Sequence, residues 1–358
     1  MKKAQHIRHC GLAILLLALC ATSSWQSQQL AERRRVQTAG MGEVYSGQAP
    51  AALNFVMVGL GGFRGLVAEV LWFRVSRLQM EGRYLELVQL ANWITMLDPK
   101  ASEAWTFNAW NLAYNISVLM NRPEDRLRWV LNGISLLRDQ ALRFNPRDAR
   151  LYRELAWMYQ HKIGENLDTA HFHYKAYLLE SLAPCVNSNG TICVSDATRE
   201  VLAPLRLDIN QMVALERRYG PLDWRMAETH ALYWASLGLS CATGTEQSLC
   251  EYSVNQALML SVLRGRFAGS VSQKQWRAAP NFGLALTAAD ALLATTQKNR
   301  SKHQTAILVR YLAKTIRMAM KAGEGLLAQQ LYERFKLAVP APHQVPTFDE
   351  VVKGWGSK

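Results

Sequence analysis

The sequence is short of acid. Its 358 residues hold 28 Asp and Glu against 41 Lys and Arg, a net charge of +13. Such an excess favours an anionic neighbour: a membrane surface, a cell-wall polymer or an acidic protein. Long hydrophobic runs are missing too. The apolar stretch Gly11 to Ala21 falls below the roughly 20 residues usual for a membrane-spanning helix. With 49% apolar residues and a mean hydropathy of −0.08, neither a polytopic membrane protein nor a disordered chain fits. There is no Walker loop, no G-x-S-x-G, no kinase signature and no H-E-x-x-H, so the common nucleotide, acyl-transfer and zinc-protease motifs are absent. Strand-like alternation is scarce outside residues 185–193. The length points to two domains or an elongated repeat array.

What is present begins with a basic N-terminus followed by the Gly11–Ala21 run, the layout of a secretory signal. A small-residue cleavage site is available at Ala21, Thr22 and Ser23. Ser27 to Gln37 consists mostly of helix formers without a breaker, which favours an uncleaved anchor over residues 1–30, and Cys20 follows Leu19 rather than the small residue lipidation prefers. Residues 31–62 read as a linker and membrane-proximal segment. The expected location is the inner membrane, single-pass with a periplasmic domain, or secreted and periplasmic if the signal is cleaved. Export makes nucleic acid an unsuitable partner.

Cys10 and Cys20 fall in the signal, and the other four cysteines form two close pairs, each in a loop-like stretch. Asn189-Gly190 is a tight-turn dipeptide that brings Cys185 opposite Cys193. Cys241 and Cys250 bracket another turn-rich stretch. Outside the cytoplasm two local disulfides are the economical reading. Zinc is the rival, but the spacing between each pair is wider than zinc sites usually use.

From Phe63 to about Leu337 the chain reads as helices. Asp98-Pro99 and Asn145-Pro146 each end an apolar helix, and each Pro is followed six residues later by an aromatic, Trp105 and Tyr152. Tyr152, Leu155, Ala156 and Tyr159 fill the slots of W-x2-L-G-x2-Y. Gly82 stands 17 residues before Pro99, and Gly323 stands 17 before Pro340. Ala170 with Tyr174, and Ala328 with Tyr332, fill A-x3-F. On these residues, over about two thirds of its length, the chain resembles an exported or membrane-anchored bacterial tetratricopeptide (TPR) protein. The resemblance implies an all-α superhelical array of helical hairpins and no particular activity. The 47 residues from Pro99 to Pro146 exceed the usual repeat of about 34. Arg74 and Asn108 stand where Leu is expected, and Arg138 where an aromatic is expected, so the register is open. The segments expected are TPR-like repeats over 63–184, a disulfide-pinned loop over 185–197, degenerate helical repeats over 198–290, a basic TPR-like hairpin over 291–340 and a tail over 341–358. Within the third, Asp223 is the expected N-cap of a helix continuing through Glu228, His230, Tyr233 and Trp234.

Candidate chemistry is sparse. His171 and His173 lie two apart on a helix, about 200° around it, and cannot share an ion. His230 shares a stripe with Met226, Tyr233 and Leu237 and reads as a hydrogen-bonded core residue. Glu180-Ser181 resembles the catalytic pair of superhelical lytic transglycosylases, but the Gly-Leu-Met-Gln-type segment expected downstream is absent. Gly59 to Gly62 lacks the preceding strand of a dinucleotide site. No metal or cofactor is expected.

Two surfaces carry the functional expectation. In the TPR pattern Trp110 and Trp157 occupy the same groove-facing slot of successive units, with Trp72, Tyr114, Arg153, Gln160 and His161 around them. Aromatic and Arg side chains on a concave wall suit peptide anchoring; filling the gap between helices is the alternative. Arg310, Lys314, Arg317 and Lys321 share one face of a helix whose other face offers Leu308, Leu312, Ile316 and Ala319. That basic face is either solvated or meets an anionic lipid or polymer. The expected function is a non-catalytic, membrane-tethered scaffold for a peptide or protein partner in the cell envelope. The alternative is an enzyme, or enzyme subunit, of envelope polymer metabolism.

Overall fold

Proline and glycine punctuate the chain. The computed structural model describes residues 64–270, 275–340 and 344–355. The anchor or signal expected over 1–30 and the linker over 31–62 lie outside these residues. Among the described residues the protein is mostly helical, hence all-α, and no helix is long and apolar enough to cross a membrane. The chain divides into two units, one ending at Asn111 and the other beginning at Leu112.

The first unit contains α1 (Arg64–Met80), α2 (Tyr84–Leu97) and α3 (Ser102–Trp110). Gly82 (φ +71°) turns α1 into α2. The Gly82 N–H donates to Gln79 O (3.1 Å) and the Arg83 N–H to Leu78 O (2.9 Å), the paired bonds of a Schellman cap. Val75, Leu78, Leu87, Ala91 and Ile94 bury between the two helices, the larger ones contributing roughly 1.5–3 kcal/mol each. The outer face of α1 leaves Leu66, Val70, Phe73 and Met80 exposed. Beyond α2, Pro99 cannot continue a helix, and Trp105 Nε1 donates back to its carbonyl at 3.0 Å.

The second unit opens with α4 (Pro123–Ser135), which runs on through a π-helical turn, Leu136–Ala141, to Phe144. After Pro146 comes α5 (Ala149–Trp157), capped by Asp148, whose carboxylate accepts from the Arg150 N–H at 3.0 Å. A π-helical turn, Met158–Ile163, follows. Next are α6 (His171–Leu182), α7 (Asp196–Leu202), α8 (Ile209–Tyr219), α9 (Ala227–Cys241) and α10 (Thr245–Arg264). Helix α9 is the centre of this unit: residues 227–235 are all buried, packed between α5 and α10. Strands β1 (Arg266–Ser270) and β2 (Gln275–Ala279) pair antiparallel with Arg266 opposite Ala279. The unit ends with α11 (Ala285–Asn299), α12 (Lys302–Lys321), α13 (Gly325–Ala338) and α14 (Phe348–Lys353). Gly323 (φ +81°) joins α12 to α13 by the same two bonds as Gly82, from Gly323 N–H to Met320 O and from Glu324 N–H to Ala319 O.

The 47-residue interval seen in the sequence is a structural period. A nine-residue helix spans Ser102–Trp110 and another Ala149–Trp157; each is followed by a six-residue π-helical turn, Asn111–Ile116 and Met158–Ile163. Each is preceded by a Pro turn locked by an aromatic, Trp105 to Pro99 O and Tyr152 Oη to Pro146 O (2.9 Å). Pro99 and Pro146 therefore stand at hairpin boundaries.

Three expectations are corrected. Residues 266–279, expected among helical repeats, include a β-hairpin. Its small residues (Ala268, Gly269, Ala278, Ala279) carry little strand preference, and tertiary bonds such as Phe267 N–H to Asp223 Oδ2 (2.9 Å) hold it. Residues 241–250 are not a loop: Cys241 ends α9, and Cys250 lies in α10 beyond a short turn at Gly244 (φ +58°). Asp223 does not cap α9. Its side chain is fully buried and accepts a bidentate pair from Arg225 (2.8 and 2.9 Å) as well as the Phe267 N–H.

Candidate functional site

The π-helical turn Met158–Ile163 shapes the aromatic face. A π turn inserts a residue and rotates the side chains that follow; here it sets His161 over Trp157, with ring centroids 4.5 Å apart and planes at 15°. Tyr114 Oη lies 3.2 Å from His161 Nδ1, so equivalent positions of the 47-residue period touch. All three side chains are half-buried. Burial lowers the pKa of His161 and raises that of the Tyr114 hydroxyl. The Trp–His stack beside a tyrosine hydroxyl offers flat apolar area with polar edges.

Arg153 and Gln160, expected beside this face, are engaged by α10. Arg153 forms an ion pair with Glu246, and Gln160 Nε2 stands 3.5 Å from Gln256 Oε1. In the first unit Trp72 packs edge-to-face on Phe107 at 5.2 Å, and Trp110 is half-buried at the end of α3, the place Trp157 takes in α5.

Behind the aromatic face lies an ionic hub that the sequence did not announce. Asp168 accepts from Lys162 Nζ (2.8 Å), Arg126 Nη1 (3.0 Å), Tyr174 Oη (2.8 Å) and the Ala170 N–H (2.9 Å). The Lys162 and Asp168 side chains are 5% and 4% exposed. Burial by itself raises the Asp168 pKa, but the bonds from Lys162, Ala170 and Tyr174, with the Lys162 charge, hold it well below the usual carboxylate range. Its proximity to Ala170 at the start of α6 was readable as a turn; Arg126, 42 residues away, was not.

A second polar cluster surrounds a small cavity of about 110 Å³ lined by Lys175, Glu228, Arg264 and Trp276. Arg264 bridges Glu165 and Glu228, both at 2.7 Å. Burial raises the Glu228 pKa, with the Arg264 charge in opposition, and burial lowers that of Lys175. Gly164 leaves room for this arrangement, since a Cβ there would stand 3.2 Å from Glu228 Oε1 and 2.6 Å from Gln160 O.

His230 is a core residue, as its stripe indicated. It is 1% exposed, stacks on Tyr159 at 5.0 Å, and its Nε2 bonds Trp224 O at 2.9 Å. Its Nδ1 is buried without a partner, and burial pushes its pKa down to about 4.

On α12, Leu308, Leu312, Ile316 and Ala319 are buried on one face as expected, and Arg310, Lys314 and Lys321 are exposed on the other. Arg317 departs from the expectation. Its Nη1 donates to Trp355 O (3.0 Å) and Val351 O (3.4 Å), tying down the C-terminal end of α14.

Cys185, Cys193, Cys241 and Cys250 are thiols in this structure. The Cys193 N–H donates to Cys185 O at 2.8 Å, and Val186 pairs with Ile192, so Cys185 and Cys193 stand directly opposite across a turn. Gly190 (φ +89°) makes that turn beside Asp223, where a Cβ would stand 2.3 Å from the carboxyl carbon. Burial pushes the Cys250 thiol up to about 11. Among the described residues no three His, Cys, Asp or Glu side chains are grouped to hold a metal ion. Comparison of the chain with protein-family models, with curated proteins and with solved structures returns no match.

Proposed function

We propose that the protein is a non-catalytic, TPR-like scaffold, tethered to the inner membrane by its N-terminal segment and presenting a preformed surface to a peptide or protein partner in the envelope. The observation that carries this reading is the 47-residue period of locked Pro turn, helix and π turn, which twice sets a half-buried Trp in one slot. A surface that is already folded before the partner arrives loses little conformational entropy on binding. The exposed stripe of Leu66, Val70, Phe73 and Met80 on α1 suits a membrane-proximal position. Photo-crosslinkers placed at Trp157 and His161 of the membrane-bound protein are expected to capture one envelope protein that a crosslinker at exposed Glu200 does not. Equal capture from all three positions overturns the assignment.

The enzyme alternative has one observation in its favour, the cavity where Glu228 and Lys175 have pKa values shifted toward each other. Glu228→Gln separates the two readings: a scaffold keeps its partner capture and its cellular role, an enzyme keeps capture alone.

Disulfides at Cys185–Cys193 and Cys241–Cys250 belong to the same proposal. Cross-strand residues at a hydrogen-bonded position have Cα atoms about 5.5 Å apart, within disulfide range. Protein recovered after export and unfolded in a thiol-blocking reagent is expected to label at none of the four positions. Reductant is then expected to speed hydrogen exchange around 185–193 and 241–250 without melting the helices. Four labelled thiols refute the pairing.

A further inference from the structure

A larger concavity than the Glu228 cavity lies at the C-terminal hairpin. It is an open groove of about 780 Å³ between α11, α12 and the end of α13. Leu308, Val309, Leu337, Val339 and Trp355 supply apolar lining. Leu337 is 69% exposed, an apolar side chain with no cover of its own. Thr296, Gln297, Thr305 and Gln344 stand among these residues with hydroxyl and amide groups.

The charges on this groove are of one sign. Arg300, Lys302 and Arg310 line it, and no Asp or Glu does. Nearby cations are already satisfied: Lys298 by Glu251, Arg334 by Asp290 and Arg317 by the C-terminal carbonyls. Arg300 also occupies a left-handed position (φ +49°) at the end of α11, where its N–H bonds Thr296 O. Glycine is the usual residue at such a cap, so the guanidinium is held at the groove against backbone preference.

We infer that this groove binds an acidic segment of a partner protein, with leucine-like side chains on its apolar lining and two carboxylates on the basic residues. Spacing favours a peptide over a lipid headgroup. Lys302 and Arg310 are eight residues apart on one helix, about 12 Å along its axis, a distance that one phosphate does not bridge. Two carboxylates four residues apart on an extended chain span about 13 Å. The Gln297 and Gln344 amides can serve a peptide backbone, whereas an acyl chain has no use for them. The inference deepens the scaffold reading and rests on it only in taking the partner to be a protein.

The test uses the purified full chain and two labelled synthetic peptides, each with leucines between terminal residues four apart, Glu in one and Lys in the other. The Glu peptide is expected to bind at least tenfold more tightly, with affinity falling as salt is raised. Arg310→Glu and Leu337→Asp are each expected to weaken it at least fivefold. Arg300→Gly separates binding from folding: it relieves the left-handed strain, so thermal stability holds or rises while affinity for the Glu peptide falls several-fold. Equal affinity for the two peptides overturns the inference, as does failure of the wild-type chain to bind either. It is equally overturned if phosphatidylglycerol vesicles, and not the Glu peptide, bind with the same dependence on Arg310 and Leu337. Loss of peptide binding with intact crosslinking from Trp157 and His161 condemns the groove assignment alone, and loss of both condemns the scaffold reading.

Discussion

Asp168→Asn is expected to cost about 3–5 kcal/mol of stability, because it leaves the buried Lys162 ammonium without its counter-charge. The loss extends to Arg126, whose side chain is 21% exposed and anchors α4 to the segment before α6. Urea titration at pH 7 measures it. A second variant tests the cause. Lys162→Met in the Asp168→Asn background removes the orphaned charge, and replacing a buried pair by neutral groups is often nearly neutral, so most of the stability should return. If the double variant is no better than the single, the hub acts through packing rather than charge. The pH dependence carries a sign. Asp168 titrates lower folded than unfolded, so its contribution is complete above the unfolded value of about 3.9 and is lost as pH falls through the folded one. The gap between wild type and Asp168→Asn should therefore shrink only below about pH 4.

His230 is expected to make the fold acid-sensitive by about 3 kcal/mol. Its folded pKa is about 4, against about 6.5 for an unfolded histidine, and each unit is worth about 1.4 kcal/mol. Between these values the unfolded chain binds a proton that the folded one refuses, so stability falls as pH drops from about 6.5 to 4 and levels off below. Glu228, two residues away on α9, works in the opposite direction because burial raises its pKa, so the total slope understates the histidine. Comparison with His230→Gln removes the other groups from the difference. The Gln amide can replace the Nε2 donor to Trp224 O but cannot take up a proton. The stability gap between wild type and variant should close by about 3 kcal/mol from pH 7 to pH 4, read from urea midpoints. A constant gap would place the acid sensitivity elsewhere.

The chain reversals between helices were legible because they rest on local causes. Pro99 and Pro146 stop helices by their own covalent structure, and Gly82 and Gly323 reverse the chain at caps where φ is positive. The inward stripe of α12, from Leu308 to Ala319, follows from spacing alone. His230 was placed in the core by the same kind of stripe. Arg153, Gln160 and Arg317 show where this reasoning stops. Each lies where the helical pattern expects an open surface, and each is taken up by a group 34 to 96 residues away along the chain.

Local chemistry set the mostly helical fold, the Pro and Gly chain reversals and the 47-residue interval, since turn chemistry and hydrophobic spacing act over a few residues; it did not reveal the hairpin at 266–279 or the helical course of 241–250. Tertiary structure alone decided which charges pair and which surfaces stay open. Asp168 with Arg126, Asp223 with Phe267, and the basic groove around Arg300 and Arg310 depend on elements distant in sequence meeting in space. An ion pair or a cavity belongs to the packed arrangement and leaves no periodic trace in the chain.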